Sequence, residues 1–250
     1  MTRSLAGRLA LVVGGSGGIG AATVRRLAEA GARVVVTHTD RSAEVAASLT
    51  ALLPGAGHVA LQADVADTAS LLKLRDAVRV RCGDALHILV NAAGFTKSVP
   101  HADLDALDDA LIDRMFAVNW RGQFAAIRTF APMLKASQDG LIVSISSIAG
   151  QTGSGSSIAY CATKAGIDVM TKSLARALAP EVRVLGVAPG VVDTGFVPGR
   201  GPEFNARTAA STPLRRVATP EDVAEAILAG ATSLGFSTGT TIVVDGGRSL

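Results

Sequence analysis

Short apolar runs alternate with amphipathic stretches along almost the whole chain. The runs are rich in valine, leucine and isoleucine, and most of them are bounded by glycine or by polar residues. Runs of this length and composition are typical of strands that are buried on both faces of a sheet. They predict strands at residues 9–13, 34–37, 58–63, 86–90, 141–146, 182–188 and 241–244.

The stretches between these runs carry apolar residues at helical spacing. Pro54-Gly55 ends the second stretch, and Asp67 is a candidate N-cap for the third. The predicted helices span residues 19–30, 43–53, a segment that begins after Asp67, 105–135 as one long helix whose start could be irregular, 158–178 and 220–231. This alternation predicts an α/β fold, namely a Rossmann-type doubly wound parallel sheet of about seven strands with helices on both faces. We expect one domain over residues 1–250.

One segment, residues 195–213, resists assignment to a helix or a strand. It contains three prolines and several glycines, and its apolar residues show no clear period. A segment of this length without periodicity inside a compact domain is often functional, so we expect a substrate lid. The alternative is a surface loop without a role in binding.

Composition narrows the functional classes. The chain has 4% aromatic residues, a formal net charge of +3 and scattered basic residues, which argues against nucleic-acid binding. Its two cysteines, Cys82 and Cys161, have no metal-binding spacing, so we expect no metal. No apolar stretch is long enough to cross a membrane or to serve as an export signal, and we therefore expect a cytoplasmic protein.

The single tyrosine, Tyr160, precedes Lys164 by four residues on a predicted helix. This spacing brings both side chains to one helix face. A phenol has a pKa near ~10, and a neighbouring ammonium group lowers that pKa, so the pair is a candidate proton donor and acceptor. The alternative is an ordinary amphipathic helix with a half-buried Tyr160 and a solvated Lys164.

A glycine-rich turn, Gly14-Gly15-Ser16-Gly17-Gly18-Ile19-Gly20, lies between the first predicted strand and the first predicted helix. Two registers fit, because Gly15, Gly17 and Gly20 satisfy G-x-G-x-x-G, while Gly14, Gly18 and Gly20 satisfy G-x-x-x-G-x-G. In either register the turn allows close backbone approach to a pyrophosphate at a helix N-terminus. In this position it indicates dinucleotide binding rather than a mere tight turn.

These motifs together resemble those of the short-chain dehydrogenase/reductase family, over residues 5–247. The resemblance implies the catalytic residues Asn119, Ser147, Tyr160 and Lys164, since Ser147 lies at the family's spacing before Tyr160, with Ser146 as the alternative. In the family the lysine also binds the nicotinamide ribose, and the asparagine holds a water in the proton path. The resemblance also implies a carbonyl–alcohol oxidoreductase, similar to 3-oxoacyl-carrier-protein reductases and general ketone reductases. A catalytically silent nucleotide-sensing module is the alternative.

The same resemblance implies where the cofactor binds. Asp64 and Val65 would hold the adenine, and Pro189, Gly190 and Thr194 would contact the nicotinamide. With the end of the second strand, the expected cofactor-binding residues are Gly14, Ser16, Gly17, Gly18, Ile19, Gly20, His38, Thr39, Arg41, Asp64, Val65, Asn91, Ala93, Gly94, Tyr160, Lys164, Pro189, Gly190, Val192 and Thr194. The chain departs from the family pattern at Val13, Ala92 and Leu185, and none of these departures affects the reacting atoms.

The choice between NADP and NAD depends on Thr37-His38-Thr39-Asp40-Arg41. No acid stands at His38, where NAD users of the family usually carry one. Arg41 could pair with a 2′-phosphate, which favours NADP. The competing interpretation makes Asp40 the acceptor of the ribose hydroxyls and favours NAD. The resemblance also implies a homotetramer built from paired long helices, acting on a small-molecule carbonyl or alcohol.

Overall fold

The computed structural model describes residues 3–250, which form a seven-stranded sheet in which every neighbouring pair of strands is parallel. The strand order is β3-β2-β1-β4-β5-β6-β7. The strands are β1 (Leu9–Val13), β2 (Arg33–His38), β3 (Val59–Gln62), β4 (Ile88–Asn91), β5 (Gly140–Ile145), β6 (Val182–Pro189) and β7 (Thr240–Val244). The predicted Rossmann-type sheet is therefore confirmed, and all seven predicted strands form within a few residues of their expected bounds.

Helices connect and cover these strands. They are α1 (Gly18–Glu29), α2 (Ala43–Ala51), α3 (Thr68–Cys82), α4 (Asp109–Phe116), α5 (Gly122–Ala136), α6 (Ala149–Thr152), α7 (Ile158–Leu178), α8 (Pro202–Ala210) and α9 (Pro220–Thr232). A 3₁₀ turn at Asp40–Ser42 precedes α2. Asp67 caps α3 as predicted, because its carboxylate accepts a hydrogen bond from the Ala69 amide at 2.8 Å.

The core has two layers, one on each face of the sheet. Along β1, Leu9, Leu11 and Val13 face one layer, while Ala10 and Val12 face the other. Helices α3, α5 and α7 cover the first layer, and α1, α2 and α9 cover the second. A strand buried on both faces has no solvent side, which explains the continuous apolar runs of the sequence.

The segment 105–135 is not the single long helix that the pattern predicts. The helical part begins with α4, which Asp108 caps by accepting from the Leu111 amide at 2.8 Å. A wide π-turn at Ala117–Arg121 then separates α4 from α5. Such a turn inserts extra backbone without ending the helix, so periodicity alone does not reveal it.

The segment 195–213 also differs from its prediction, since it contains the nine-residue helix α8. Pro202 occupies the first turn of that helix, where a missing N–H costs nothing. Pro202, which in the sequence suggests that no helix forms, therefore marks the start of one.

The order of the strands determines where a ligand can bind. From β1 the chain continues outward to β2 and β3, then returns to β4 on the other side of β1. Between β1 and β4 the connecting segments leave in opposite directions, which opens a crevice at the carboxyl ends of the strands. In residues 3–250 no helix is both long and apolar enough to span a membrane.

Candidate active site

The glycine turn lies at this crevice, directly after β1, and packs against the segment that follows β4. Gly14 has φ +76°, and a Cβ built on it would lie 2.6 Å from the Ala93 nitrogen. A Cβ on Gly20 would overlap the Gly14 carbonyl oxygen. Both positions therefore require glycine for the turn to close onto α1 and β4.

Two hydroxyl groups hold the turn in place. The Gly14 amide donates to Thr37 Oγ1 at 2.9 Å, and Ser16 Oγ donates to Ser42 Oγ at 3.0 Å. The hydroxyl group of Thr37, on β2, thus anchors the turn at Gly14. The preceding residue, Val13, is one of the positions where the chain departs from the family pattern. Gly17 precedes α1 without a side-chain cap, so the amides of the first helical turn remain available to an anion.

The segment expected to contact the nicotinamide lies next to this turn. A Cβ on Gly18 would be 2.8 Å from Thr194 Cγ2. Pro189 accepts hydrogen bonds from the Ile148 amide at 3.1 Å and from Ser147 Oγ at 3.5 Å. The structure therefore joins the predicted phosphate-binding turn, the Pro189–Thr194 segment and Ser147 in one crevice.

The outer end of the crevice carries the residues that bear on cofactor choice. Thr39, Asp40 and Arg41 are exposed after β2, and no partner for the Asp40 or Arg41 side chain occurs among residues 3–250. Both groups remain free to meet a ribose or a phosphate, so the geometry leaves the choice open. Asp64 follows the end of β3, the strand that pairs with β2. Its Oδ1 accepts a hydrogen bond from the Ala66 amide at 2.8 Å.

Tyr160 lies half-buried on the first turn of α7, close to Ser147 at the end of β5. Burial raises the pKa of Tyr160 to about 12, whereas the nearby Ser147 hydroxyl and the positive charge of Arg200 lower it. The Phe196 ring lies against the tyrosine, with 6.2 Å between ring centroids. The sequence predicts a tyrosine pKa lowered by Lys164, whereas the net shift in this structure is upward, with burial as its largest cause.

Lys164 is buried below Tyr160, with only 3% of its surface exposed. Its Nζ donates to the Ile145 carbonyl at 2.8 Å and lies 5.5 Å from the centroid of the Tyr160 ring. Burial lowers the pKa of the ammonium group to about 8, although Asp168 opposes this shift. The alternative of a solvated lysine on an amphipathic helix is therefore wrong.

Ser146 and Ser147 have different environments. Ser146 Oγ donates to the backbone carbonyl of Lys164 at 3.1 Å, which attaches α7 to the end of β5. Ser147 Oγ accepts from the Ala149 amide at 3.2 Å and faces Pro189 and the Tyr160 phenol. Of the two serines, Ser147 is therefore the one within reach of a group bound at the tyrosine.

Asn119 lies on the π-turn and is fully buried. Its Oδ1 accepts from the Phe95 amide at 2.7 Å, and its Nδ2 donates to the Phe95 carbonyl at 2.9 Å and to Thr163 Oγ1 at 3.3 Å. The side chain thus connects the segment after β4 to α7. It positions Asn91-Ala92-Ala93-Gly94 against the glycine turn, a role that the sequence did not predict.

The sequence predicts a substrate lid at residues 195–213 but singles out neither Phe196 nor Arg200, the two residues of this segment that lie near Tyr160. Both belong to the segment 195–213, whose path depends on the packing of α8 and could not be derived from periodicity. An aromatic residue and an arginine between prolines were the only signals available. Among residues 3–250 no group of three or more His, Cys, Asp or Glu side chains could hold a metal ion.

Comparison with known proteins agrees with this geometry. A family model described as "Enoyl-(Acyl carrier protein) reductase" matches residues 14–249. A granaticin polyketide synthase putative ketoacyl reductase 2 from Streptomyces violaceoruber is 40% identical, over 97% of this chain and 96% of its own length. A cis-4-hydroxycyclohexanecarboxylate dehydrogenase from Sinomonas cyclohexanicum is 39% identical, over 99% of this chain and 98% of its own length.

Solved structures show the same likeness. A crystal structure of "Short-chain dehydrogenase/reductase SDR:Glucose/ribitol dehydrogenase" from Brucella melitensis superposes with a TM-score of 0.91 and 30% identity, covering 99% of both chains. The chain belongs to the short-chain dehydrogenase/reductase family and is an oxidoreductase. The resemblance inferred from the motifs is therefore confirmed.

The buried Lys164 ammonium leads to a prediction about stability. Because the pKa of Lys164 is about 8 in the folded protein and 10.5 in the unfolded chain, burial costs stability below pH 8, and this cost disappears as the pH rises to 10.5. The shift corresponds to about 3 kcal/mol. Between pH 7 and pH 10 the free energy of unfolding of the parent protein should therefore rise by up to this amount, and that of Lys164→Met should lack this rise. Urea unfolding without added nucleotide measures both.

The matched control is Lys172→Met, which removes an exposed lysine from the same helix. We expect its difference from the parent to stay constant over this pH range. A constant difference for Lys164→Met as well would contradict the lowered pKa.

Proposed function

We propose that the protein interconverts a carbonyl group, either a ketone or a 3-oxoacyl group, and a secondary alcohol by hydride transfer with NADP or NAD, with Tyr160 as the proton donor and acceptor. The observation that carries this proposal is the juxtaposition of the Tyr160 phenol, the Ser147 hydroxyl and the buried Lys164 beside the glycine turn. A bound carbonyl oxygen in this crevice would meet two hydroxyl donors.

The residues present fit a nicotinamide dinucleotide. The uncapped start of α1 and the close approach of Gly14 to Ala93 leave free amides and no side chain where a pyrophosphate would bind. Asn91 Oδ1 is buried without a hydrogen-bond partner, which suits a donor from a ligand. Such a cofactor supplies or accepts the hydride when bound. Asp64 and Val65 would hold the adenine, and Pro189, Gly190, Val192 and Thr194 would contact the nicotinamide end.

The chain's own residues would move the proton. Tyr160 donates its phenolic proton to the substrate oxygen during reduction and accepts it back during oxidation. Ser147 donates a hydrogen bond to the same oxygen and stabilises the developing charge, an effect typically of order 10²–10³ in rate per donor. We propose that Lys164 binds the ribose and helps to restore the phenolic proton. Asn119 would position a water molecule on that path and hold the segment after β4.

The names of two relatives support the reaction class. One is a putative ketoacyl reductase, and the other a dehydrogenase of a cyclic hydroxycarboxylate, so a carbon–oxygen group is named in both. We propose the same class of substrate for this chain. We also propose that residues 195–213 act as the substrate lid, because Phe196 from this segment lies against Tyr160 and next to Gly94.

The second candidate function is a silent nucleotide-sensing module, and it is less well supported. Such a module would have no use for the buried Lys164, whose desolvation costs stability. Absorbance at 340 nm, followed with a panel of ketones and alcohols, separates the two functions.

The central prediction concerns the phenolic oxygen. Tyr160→Phe should lower kcat at least 10³-fold, because only the group that transfers the proton is removed and the ring is retained. Cofactor affinity, measured by quenching of the Trp120 fluorescence, should stay within about threefold. Turnover within tenfold of the parent would overturn the assignment of Tyr160.

The cofactor preference gives a second prediction. We propose that Arg41 pairs with a 2′-phosphate, so Arg41→Ala should raise the KM for NADPH by ~10-fold or more and change the KM for NADH little. Asp40→Ala is the matched variant on the adjacent exposed residue. If Asp40→Ala raises the KM for NADH and Arg41→Ala affects both cofactors equally, NAD is the physiological cofactor.

A homotetramer is the third part of the proposal. Small residues on α5 and α7 do not form the contact surface, because Gly122, Ala125 and Ala159 are buried inside the subunit. The better support is a group of apolar side chains that are at least partly exposed: Trp120 of the π-turn stacks on Phe124 of α5 at 5.9 Å, and Val169 of α7 is 63% exposed. Light scattering at micromolar concentration should give about four times 25.3 kDa. A mass near 25.3 kDa would contradict the tetramer.

A further inference from the structure

Arg200 is a half-buried cation without a counter-charge. Its guanidinium lies 4.5 Å from the centroid of the Phe204 ring, on which it stacks. Within residues 3–250 it forms neither an ion pair nor a hydrogen bond through its side chain, and burial lowers its pKa. The five N–H donors of this guanidinium have no partner among the described residues, so they are available to an anion.

Arg200 belongs to the same segment as Phe196, which lies against the Tyr160 ring. Phe196, four residues earlier, packs on Tyr160, and the charge of Arg200 is close enough to lower the pKa of the phenol. Arg248 adds a second positive charge, and its guanidinium is held by Ser211 Oγ at 2.9 Å. The surroundings of Arg200 are therefore electropositive, and among the residues described Arg200 has all its donors free while Arg248 does not.

We infer that Arg200 binds a carboxylate of the substrate, so that the enzyme prefers oxo acids and hydroxy acids to neutral ketones and alcohols. This inference rests on the proposed function, since it assigns the substrate class of the same site. A guanidinium presents two parallel N–H groups that match the two oxygens of a carboxylate. Stacking on Phe204 holds the guanidinium plane in a fixed orientation. Binding the distant acid group in this way orients the carbonyl toward Tyr160.

The test compares each acid with its methyl ester, because the ester keeps the carbonyl and loses the charge. The probes are 3-oxobutanoate, 4-oxopentanoate and 4-oxocyclohexanecarboxylate, each against its methyl ester, with saturating cofactor. For the parent protein we expect kcat/KM to be at least tenfold higher for the acid in the best pair. In Arg200→Met this acid-to-ester ratio should fall by ~10–100-fold, since a charge-assisted hydrogen-bonded pair is lost. Arg200→Lys should keep part of the preference.

Arg176→Met is the matched control, because it removes an exposed arginine from α7, outside the lid, and changes the net charge equally. Its acid-to-ester ratio should equal that of the parent. An equal loss for acid and ester in Arg200→Met, or a parent that reduces both alike, would overturn the inference while the proposed reaction stands. A rise in the KM for the cofactor with an unchanged ratio would assign Arg200 to the cofactor phosphates and overturn it as well. If no acid or ester is reduced, the proposed function itself fails, and this inference fails with it.

Discussion

The buried side chain of Lys164 is the constraint on which the rest of the site depends. Its ammonium group reaches the Ile145 carbonyl at the end of β5, while its own carbonyl accepts from Ser146. These two contacts fix the depth and rotation of α7 against the sheet. Because Tyr160 lies one turn earlier on the same helix, its position follows from this attachment.

The close approach of α6 to α7 depends on the same arrangement. A Cβ on Gly150 would lie 2.5 Å from the Ala165 nitrogen, so only glycine lets the turn after Ser147 pack on the helix. Asn119 connects the opposite side of α7, through Thr163, to the Phe95 backbone. Contacts to the backbone of several separate segments thus hold the site in place. They fix the tyrosine, the serine and the glycine turn relative to one another.

Burying the ammonium group of Lys164 lowers the stability of the fold but places this group below Tyr160 in the candidate active site. Burial lowers the pKa of Lys164 and raises that of Tyr160, so both groups are shifted towards their neutral forms. Buried groups with strongly shifted pKa values in a crevice are typical of functional sites. Two further polar groups there lack a partner in the part of the chain that the structure describes, namely the Arg200 guanidinium and Asn91 Oδ1. Ligands that satisfy these groups would stabilise the folded protein when they bind.

The sequence by itself determined the sheet, the helix Ile158–Leu178 and the glycine turn, because these features follow from local periodicity and from backbone conformations that only glycine adopts readily. It also identified Tyr160 and Lys164 as a candidate pair by their spacing on one helix, and the family resemblance added Ser147. Only the tertiary structure decided the π-turn that brings Asn119 inward, the tie from Thr37 to Gly14, and the direction of the pKa shift at Tyr160. It also decided that Arg200 lies near enough for its charge to act on that tyrosine. These features depend on desolvation and on contacts between segments far apart in the chain, and neither is encoded in the local pattern of apolar and polar residues.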